Sequence, residues 1–293
     1  MPNRIGILIF AKKGRSRGRL VQAAQAHNLR VYKPQFSQLT FDAGREADIT
    51  WRGRDLASWG DICIIRGTDQ HQVEAKVLAD YLHAKGLVVL DKVLTSRRFL
   101  ASKLADDFLL TEAGIHHPET YQALDQKGVY HLLHKLEYPI LVKDIHGAHS
   151  EGIYALKSMA RANQFFRWHD PASFVIQKYL PTDSYIRVMI VGDEIVGSMQ
   201  RTKLRAFTDR KHVQEAKSKP YQLSKEEERL ALKAHRAVDN DISGVDILKV
   251  HGELYVLEVN RAPQFGSMER VCHLDIADKI ISYVLTLFKN KSK

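Results

Sequence analysis

The sequence predicts a mixed α/β and α+β fold in three parts: residues 1–94, 95–176 and 177–293. Two observations predict it. Strand-like and helix-like runs alternate in the first ninety residues, which is the punctuation of a parallel sheet covered by helices. Beyond them, short apolar strands separated by tight turns indicate antiparallel pairing.

In the first part, a strand is expected at Ile5 to Phe10, a helix from Arg17 to Asn28 and a short strand from Leu29 to Lys33. A polar connection leads to a strand at Asp61 to Arg66, a helix from Gln70 to Lys85 and a strand at Leu87 to Leu90. The string Gly14-Arg15-Ser16-Arg17-Gly18 has neither the dinucleotide fingerprint nor the Gly-Lys-Ser/Thr ending of a phosphate loop, so it is read as an ordinary turn.

The second part opens with a helix from Ser96 to Ala113, ended by Gly114 and then Pro118. A helix from Gln126 to Lys135, a strand from Pro139 to Lys143, a loop with Gly147 and Gly152, and a strand at Ile153 to Leu156 follow. The third part is expected to open with a strand from Phe174 to Tyr179. It continues with a hairpin of Tyr185 to Val191 and Glu194 to Gln200 across Gly192-Asp193. Ser224 and Glu227 form a capping box at the start of a helix, and a last hairpin runs from Val245 to Asn260.

Composition excludes several classes. With 293 residues and 44% hydrophobic content, the chain can bury a substantial core. No apolar run reaches the roughly 18 residues needed to cross a bilayer. The run Ile5 to Phe10 is too short, and too soon followed by Lys12, Lys13 and Arg15, for a signal peptide, so a cytoplasmic protein without membrane contact is expected. Cys63 and Cys272 suggest neither a disulfide framework nor a zinc site. A formal charge of +10 suits an anionic partner, such as a nucleotide or an acidic peptide. The denser basic patches, Lys203 to Lys219 and Lys289 to Lys293, lack interleaved aromatic residues, which disfavours nucleic acid.

The strongest chemical signal is Gly244-Val245-Asp246-Ile247-Leu248 followed by Glu253-Leu254-Tyr255-Val256-Leu257-Glu258-Val259-Asn260. If His251, Gly252 and Glu253 form a three-residue loop, Val250 pairs with Leu254 and Asp246 lies opposite Glu258. Asn260 then projects from the same face as Glu258. Paired carboxylates repel unless a cation or proton separates them, and Asp, Glu and Asn oxygens suit magnesium. A polar sheet face is the plainer alternative. A second signal is the strand Tyr138-Pro139-Ile140-Leu141-Val142-Lys143, whose terminal lysine runs into a Gly-containing loop, a pairing able to meet phosphate oxygens. His146 and His149 have no matching third ligand nearby and read as polar loop residues.

Taken in order, these pieces resemble the ATP-grasp fold, and specifically the RimK-like ligases, with a Rossmann-like N-terminal lobe ahead of the ATP-grasp part. The resemblance rests on Lys103, Lys143, the Gly loop, Gln177-Lys178-Tyr179-Leu180, Ile186-Arg187, Val191 to Glu194, Arg201, Gly-Val-Asp and Glu-Val-Asn. Ile65-Arg66-Gly67 also matches a strand end of that family. It implies ATP and two magnesium ions, with manganese as a substitute. Lys103 and Lys143 would contact phosphates, with Gly147 and Gly152 in the loop beside them. Gln177, Lys178, Tyr179 and Leu180 would receive adenine, and Asp246, Glu258 and Asn260 would hold the metal. Arg187 and Arg201 would bind a carboxylate or acyl-phosphate, with an ordinary salt bridge as the alternative for Arg187.

Four positions depart from the family pattern. Tyr185 stands where an acid often holds the ribose, leaving Asp183 as a substitute, and Lys178 replaces an acid after the hinge glutamine. Asp209 to His212 and Arg261 to Gln264 replace the family's usual substrate-loop residues and its small residues with Pro-Gly.

The implied activity is carboxylate-amine ligation through an acyl-phosphate, adding an amino acid such as glutamate to a peptide, a protein or a small amine. A glutathione-synthetase-like ligase and a non-ligating ATP-binding regulatory or nucleic-acid-associated protein stay open, as does a homo-oligomer.

Overall fold

The computed structural model describes residues 4–44, 47–68, 71–96, 102–145, 152–202 and 217–291. In chain order, β1 (Gly6–Ala11), α1 (Arg15–Ala26) and β2 (Arg30–Tyr32) precede three short strands, β3 (Leu39–Asp42), β4 (Asp48–Trp51) and β5 (Arg54–Asp55). Next come β6 (Ile62–Arg66), α2 (Gln72–Ala84) and β7 (Val88–Leu90). The middle of the chain holds α3 (Lys103–Glu112), β8 (Thr120–Tyr121), α4 (Gln126–Leu133), β9 (Ile140–Asp144), β10 (Ile153–Leu156), α5 (Met159–Phe166) and β11 (Phe174–Lys178). The remainder comprises β12 (Ser184–Val191), β13 (Glu194–Thr202), β14 (Ser218–Pro220), α6 (Lys225–Ala237), β15 (Ile242–Val250), β16 (Glu253–Asn260), α7 (Gly266–Cys272) and α8 (Ile276–Lys291).

The first sheet has the order β2-β1-β6-β7, all pairs parallel. Its strands are apolar on both faces because both are covered. Ile7 and Ile9 pack with Leu20 and Ala24 of α1 and with α8, whereas Leu8 and Phe10 pack with Leu78 and Leu82 of α2. Helix α1 ends through Asn28 at φ 57°, and the Leu29 N–H donates to the Ala24 carbonyl. Asparagine tolerates that left-handed position well for a non-glycine residue.

The polar connection between β2 and β6 is an antiparallel sheet, β3-β4-β5. Its strands are two to four residues long, too short for periodicity to register. Ile49 and Trp51 are buried in the cluster of Phe10 and Leu56, and Leu39 packs against it.

The middle sheet runs β10-β9-β11-β8. Strand β11 pairs antiparallel with β9, from Phe174 opposite Asp144 to Lys178 opposite Ile140. It therefore belongs to this sheet rather than opening the third part as the sequence suggested. The last sheet runs β14-β13-β12-β15-β16. Its β12–β13 turn is Gly192-Asp193 as expected, with Val191 opposite Glu194. A Cβ at Gly192 would lie 2.6 Å from the Tyr283 ring of α8, and Gly192 has φ 59°, so both conformation and packing require glycine. The Ser224–Glu227 capping box forms at α6.

One face of this sheet changes character along its length. Met189 and Val191 join the apolar core shared with α8 and the N-terminal lobe. Arg187 and Tyr185, two and four residues back on the same face, lie beyond that core. The opposite face, with Ile186, Val188, Val245, Ile247 and Val259, packs on α3 and α6. Among the described residues, no helix is long and apolar enough to cross a membrane.

A buried polar knot ties the N-terminal sheet to the last one. Asp91, just past β7, accepts from the Asp241 and Ile242 N–H groups at 3.0 and 2.9 Å, and Arg66 Nη1 lies 3.6 Å from its other oxygen. Asp241 in turn accepts from the Tyr283 hydroxyl at 2.8 Å and the Lys92 N–H at 2.5 Å. Burial pushes Asp91 up to about 7; Arg66 opposes the shift and Asp241 adds to it. The folded chain thus keeps a proton that the unfolded chain loses near pH 4, so stability falls as pH rises from about 4 to about 7, by on the order of 1 kcal/mol per unit. Urea midpoints taken from pH 5 to 8 are expected to fall less steeply for Asp91→Asn than for the parent. Parallel curves would remove Asp91 as the cause.

Candidate active site

The acids come together on β15 and β16. Asp246 lies opposite Glu258, as expected, but by a different route. The turn is the two-residue His251-Gly252, both at positive φ, so Val250 pairs with Glu253 instead of Leu254. A bulge at Leu257, between the pairs Ile247–Val256 and Asp246–Glu258, restores the register. Asn260 follows opposite Gly244, and its Oδ1 accepts from the Ala262 N–H at 3.0 Å.

Arg187 lies opposite Asp246 on the other side, because β12 pairs with β15. Its Nε and Nη2 donate to the two Asp246 carboxylate oxygens at 2.6 and 2.5 Å, and Nη2 also lies 3.5 Å from Glu258. Of the two readings open for Arg187, the salt bridge is the one the structure forms. Asp246 is 2% exposed; burial pushes it up to about 6 and the Arg187 guanidinium pulls it back. Burial alone would lower Arg187, but attraction to Asp246 and the hydrogen bonds hold it above its usual value, so the pair is ionised at neutral pH. Arg201 sits opposite Tyr185 on β13, and its Nε is buried without an acceptor.

Tyr185, which looked from the sequence only like a lost ribose ligand, organises both arginines. The Arg187 and Arg201 guanidinium carbons lie 5.9 and 5.7 Å from its ring centre. Its spacing of two residues from Arg187 was the available signal; its contact with Arg201 required the hairpin register.

Strand β9 of the middle sheet and the start of α3 each bring a lysine toward these acids. Lys143 ends the apolar part of β9 and is 8% exposed. Lys103 opens α3, and its Nζ donates to the Asp144 carbonyl at 2.9 Å. Burial lowers both lysines, and after burial Glu258 is the strongest charge felt by each, raising it. Asp107, unremarked in the sequence, is the next acid acting on Lys143, and burial raises its own pKa. Gly152 closes the loop after β9: its carbonyl accepts from the Asp144 N–H at 2.9 Å, and a Cβ there would stand 2.7 Å from that of Asp144. Gly147, His146, His149 and the segment Asp209 to His212 lie outside the described residues.

The segment expected to meet adenine lies at the end of β11, beside β9. Gln177 is 2% exposed; its Nε2 donates to Thr120 Oγ at 2.9 Å, and its Oε1 has no donor. The Lys178 side chain faces outward, to Glu119 at 3.5 Å and Glu137 at 3.6 Å, so only its backbone could serve a ligand on the inner side. Tyr179 and Leu180 are half-buried and Asp183 is exposed. Arg261, one of the departures, has a structural role: it pairs with Asp106 of α3 at 2.5 Å and donates to the Val238 carbonyl.

Two carboxylates and an amide oxygen on one sheet face are hard donors that fit a divalent cation such as magnesium. Among the described residues, no group of three His, Cys, Asp or Glu side chains is assembled. The Asn260 amide oxygen, which accepts from the Ala262 N–H, keeps a second lone pair on that face.

This layout, one lysine from the middle sheet and one from the start of α3 beside acids and arginines of the last sheet, has counterparts. A RimK-like ATP-grasp domain matches residues 101–284, more than half of the chain. The chain belongs to this family. A relative named "Probable alpha-L-glutamate ligase" from Histophilus somni (strain 2336) is 28% identical over 187 residues, covering 62% of this RimK-like chain and 62% of the relative. The match thus spans under two thirds of that protein's length. Two solved structures share the fold. The RimK domain ATP-grasp protein of Sphaerobacter thermophilus DSM 20745 has a TM-score of 0.73 at 18% identity, covering 95% of this chain and 99% of its own. The ATP-grasp ligase PsnB with minimal precursor, Mg and ADP has a TM-score of 0.71 at 16% identity, covering 98% and 99%.

Proposed function

We propose that the chain is a cytoplasmic, ATP- and magnesium-dependent carboxylate-amine ligase that adds an amino acid, with glutamate the first candidate, to a peptide, a protein or a small amine. The observation that carries this reading is the convergence of Lys103 and Lys143 on Glu258, beside the Arg187–Asp246 pair. Such a site concentrates cations where a triphosphate would lie, and acids where its counter-ions would be held.

In this reading a substrate carboxylate oxygen attacks the γ-phosphorus, ADP leaves, and an acyl-phosphate forms. An amine then attacks the acyl carbon, a proton is lost from nitrogen, and inorganic phosphate leaves. Lys103, Lys143 and the loop amides around Gly147 and Gly152 neutralise phosphate oxygens. The backbone of Gln177 to Leu180 meets the adenine, and Asp183 the ribose. Asp246, Glu258 and Asn260 would hold magnesium, which supplies charge neutralisation on the phosphates. Arg201, and Arg187 while bonded to Asp246, face the developing oxyanion as preorganised donors.

The test is ADP release with a panel of carboxylates and amines, including L-glutamate with peptides, read by mass spectrometry for the new amide. Magnesium-ATP binding without ADP release from any combination would overturn ligation and leave a nucleotide-binding protein.

A further inference from the structure

The two arginines of the last sheet are held in different ways. Arg187 is anchored by its two bonds to the Asp246 carboxylate, at 2.6 and 2.5 Å, and its charge is neutralised there. Arg201 has no carboxylate partner among the described residues, and its Nε is buried without an acceptor. The registers of β13 with β12, β12 with β15 and β15 with β16 nevertheless put Arg201, Tyr185, Arg187, Asp246 and Glu258 on one sheet face. Arg201 is thus the unneutralised cation at the end of a row of paired charges.

What Arg201 does have is the Tyr185 ring. Tyr185 lies directly opposite it across the β12–β13 ladder, and the guanidinium carbon is 5.7 Å from the ring centre, within reach of a cation–π contact. The residue type at 185 decides what this contact leaves available. A carboxylate directly opposite would form a cross-strand ion pair and cancel the Arg201 charge. An aliphatic side chain would leave a long, rotamer-rich arginine without direction. An aromatic ring attracts the guanidinium through its face and leaves the positive charge intact for an anion. Burial, and then the Asp246 charge, raise the Tyr185 hydroxyl above its ordinary value against the pull of both arginines, so the ring is an uncharged phenol at neutral pH. It directs Arg201 without neutralising it.

We propose that Tyr185 is a positioning residue whose ring fixes Arg201, still fully charged, in the orientation that receives the reacting carboxylate or its acyl-phosphate. The identity of the anion rests on the ligase reading; the hold of the ring on Arg201 does not. Arg187 lies 5.9 Å from the same ring, but its bidentate bond to Asp246 keeps it in place whether or not the ring is there. The departure at position 185 is then a gain of function for one arginine and nearly silent for the other.

The test uses the full chain isotopically labelled at arginine nitrogen, with the Arg187 and Arg201 Nε–H signals assigned from Arg187→Lys and Arg201→Lys. Both signals are expected to exchange slowly with water in the parent. In Tyr185→Leu the Arg201 Nε–H is expected to exchange about tenfold faster, the loss of one cation–π contact, while Arg187 stays slow. Tyr185→Phe, which keeps the ring, is expected to hold both slow. With the carboxylate that supports ADP release, Tyr185→Leu is expected to raise the carboxylate KM about tenfold and leave the Mg-ATP KM unchanged, and Tyr185→Phe to recover the parent value. Tyr185→Met serves as the ring-free variant if leucine unfolds the chain. Fast Arg201 exchange in the parent, slow exchange without the ring, a Tyr185→Phe as impaired as Tyr185→Leu, or an equal rise of both KM values would each overturn the proposal. If exchange responds as expected while no carboxylate in the panel releases ADP, the hold on Arg201 stands and ligation falls. If the ring-free variant ligates with the parent carboxylate KM, ligation stands and the positioning role falls.

Discussion

Asp246→Asn is expected to lower magnesium-dependent ADP release by two to three orders of magnitude, the largest effect of any single change in this site. Asp246 is the buried member of the acid pair, and it meets Glu258 on one side and Arg187 on the other. The amide keeps the shape and one acceptor for Arg187 but removes the charge that a cation requires. Asp246→Ala adds a loss of stability. It strands Arg187, whose side chain is 12% exposed, without its bidentate partner, at a cost of about 3–5 kcal/mol. The two effects separate in a double variant, Arg187→Met with Asp246→Leu. Replacing a buried ion pair by apolar side chains is often neutral or better for stability, so the urea midpoint is expected to recover while ADP release stays lost. Asp246→Asn protein that still released ADP with magnesium would remove Asp246 from the metal-binding set.

The Asp246–Glu258 pairing was legible because Val245, Ile247 and Val259 alternate with the acids, a period of two that only one sheet face satisfies. Its route was not legible. The two-residue turn and the Leu257 bulge each shift the register by one, and they cancel. The Arg187–Asp246 contact could not be read either, since it depends on β12 lying beside β15, and a long connection through β13, β14 and α6 separates them in sequence. The same limit hid the sheet of β11. Its apolar run announces a strand, but its partner β9 lies some thirty residues upstream, and nothing local selects β9 over β12. Lys103 stood out only through the family resemblance, and Lys143 only as a strand-end lysine before a Gly-containing loop. A helix-opening lysine and a strand-end lysine are ordinary surface residues until the fold buries them.

Lys143→Met carries the second large effect. Methionine matches the length of the lysine stem and suits a packed site, so the change removes charge with little change of volume. Lys143 is 8% exposed, between Glu258 and Asp107, and burial weighs against its charge more than either acid supports it. A cation kept at that cost is expected to be repaid by an anionic ligand. Mg-ATP affinity measured by calorimetry is therefore expected to fall roughly 100-fold, about 2.7 kcal/mol. The loss of chain stability without nucleotide should be smaller, because the buried charge and part of its neighbours' penalty disappear together. The contrast between the two measurements is the informative one. If Lys143→Met loses stability as steeply as it loses ATP, the lysine serves the packing of β9 against the acids. If ATP affinity is unchanged, the phosphate assignment fails whatever the stability does.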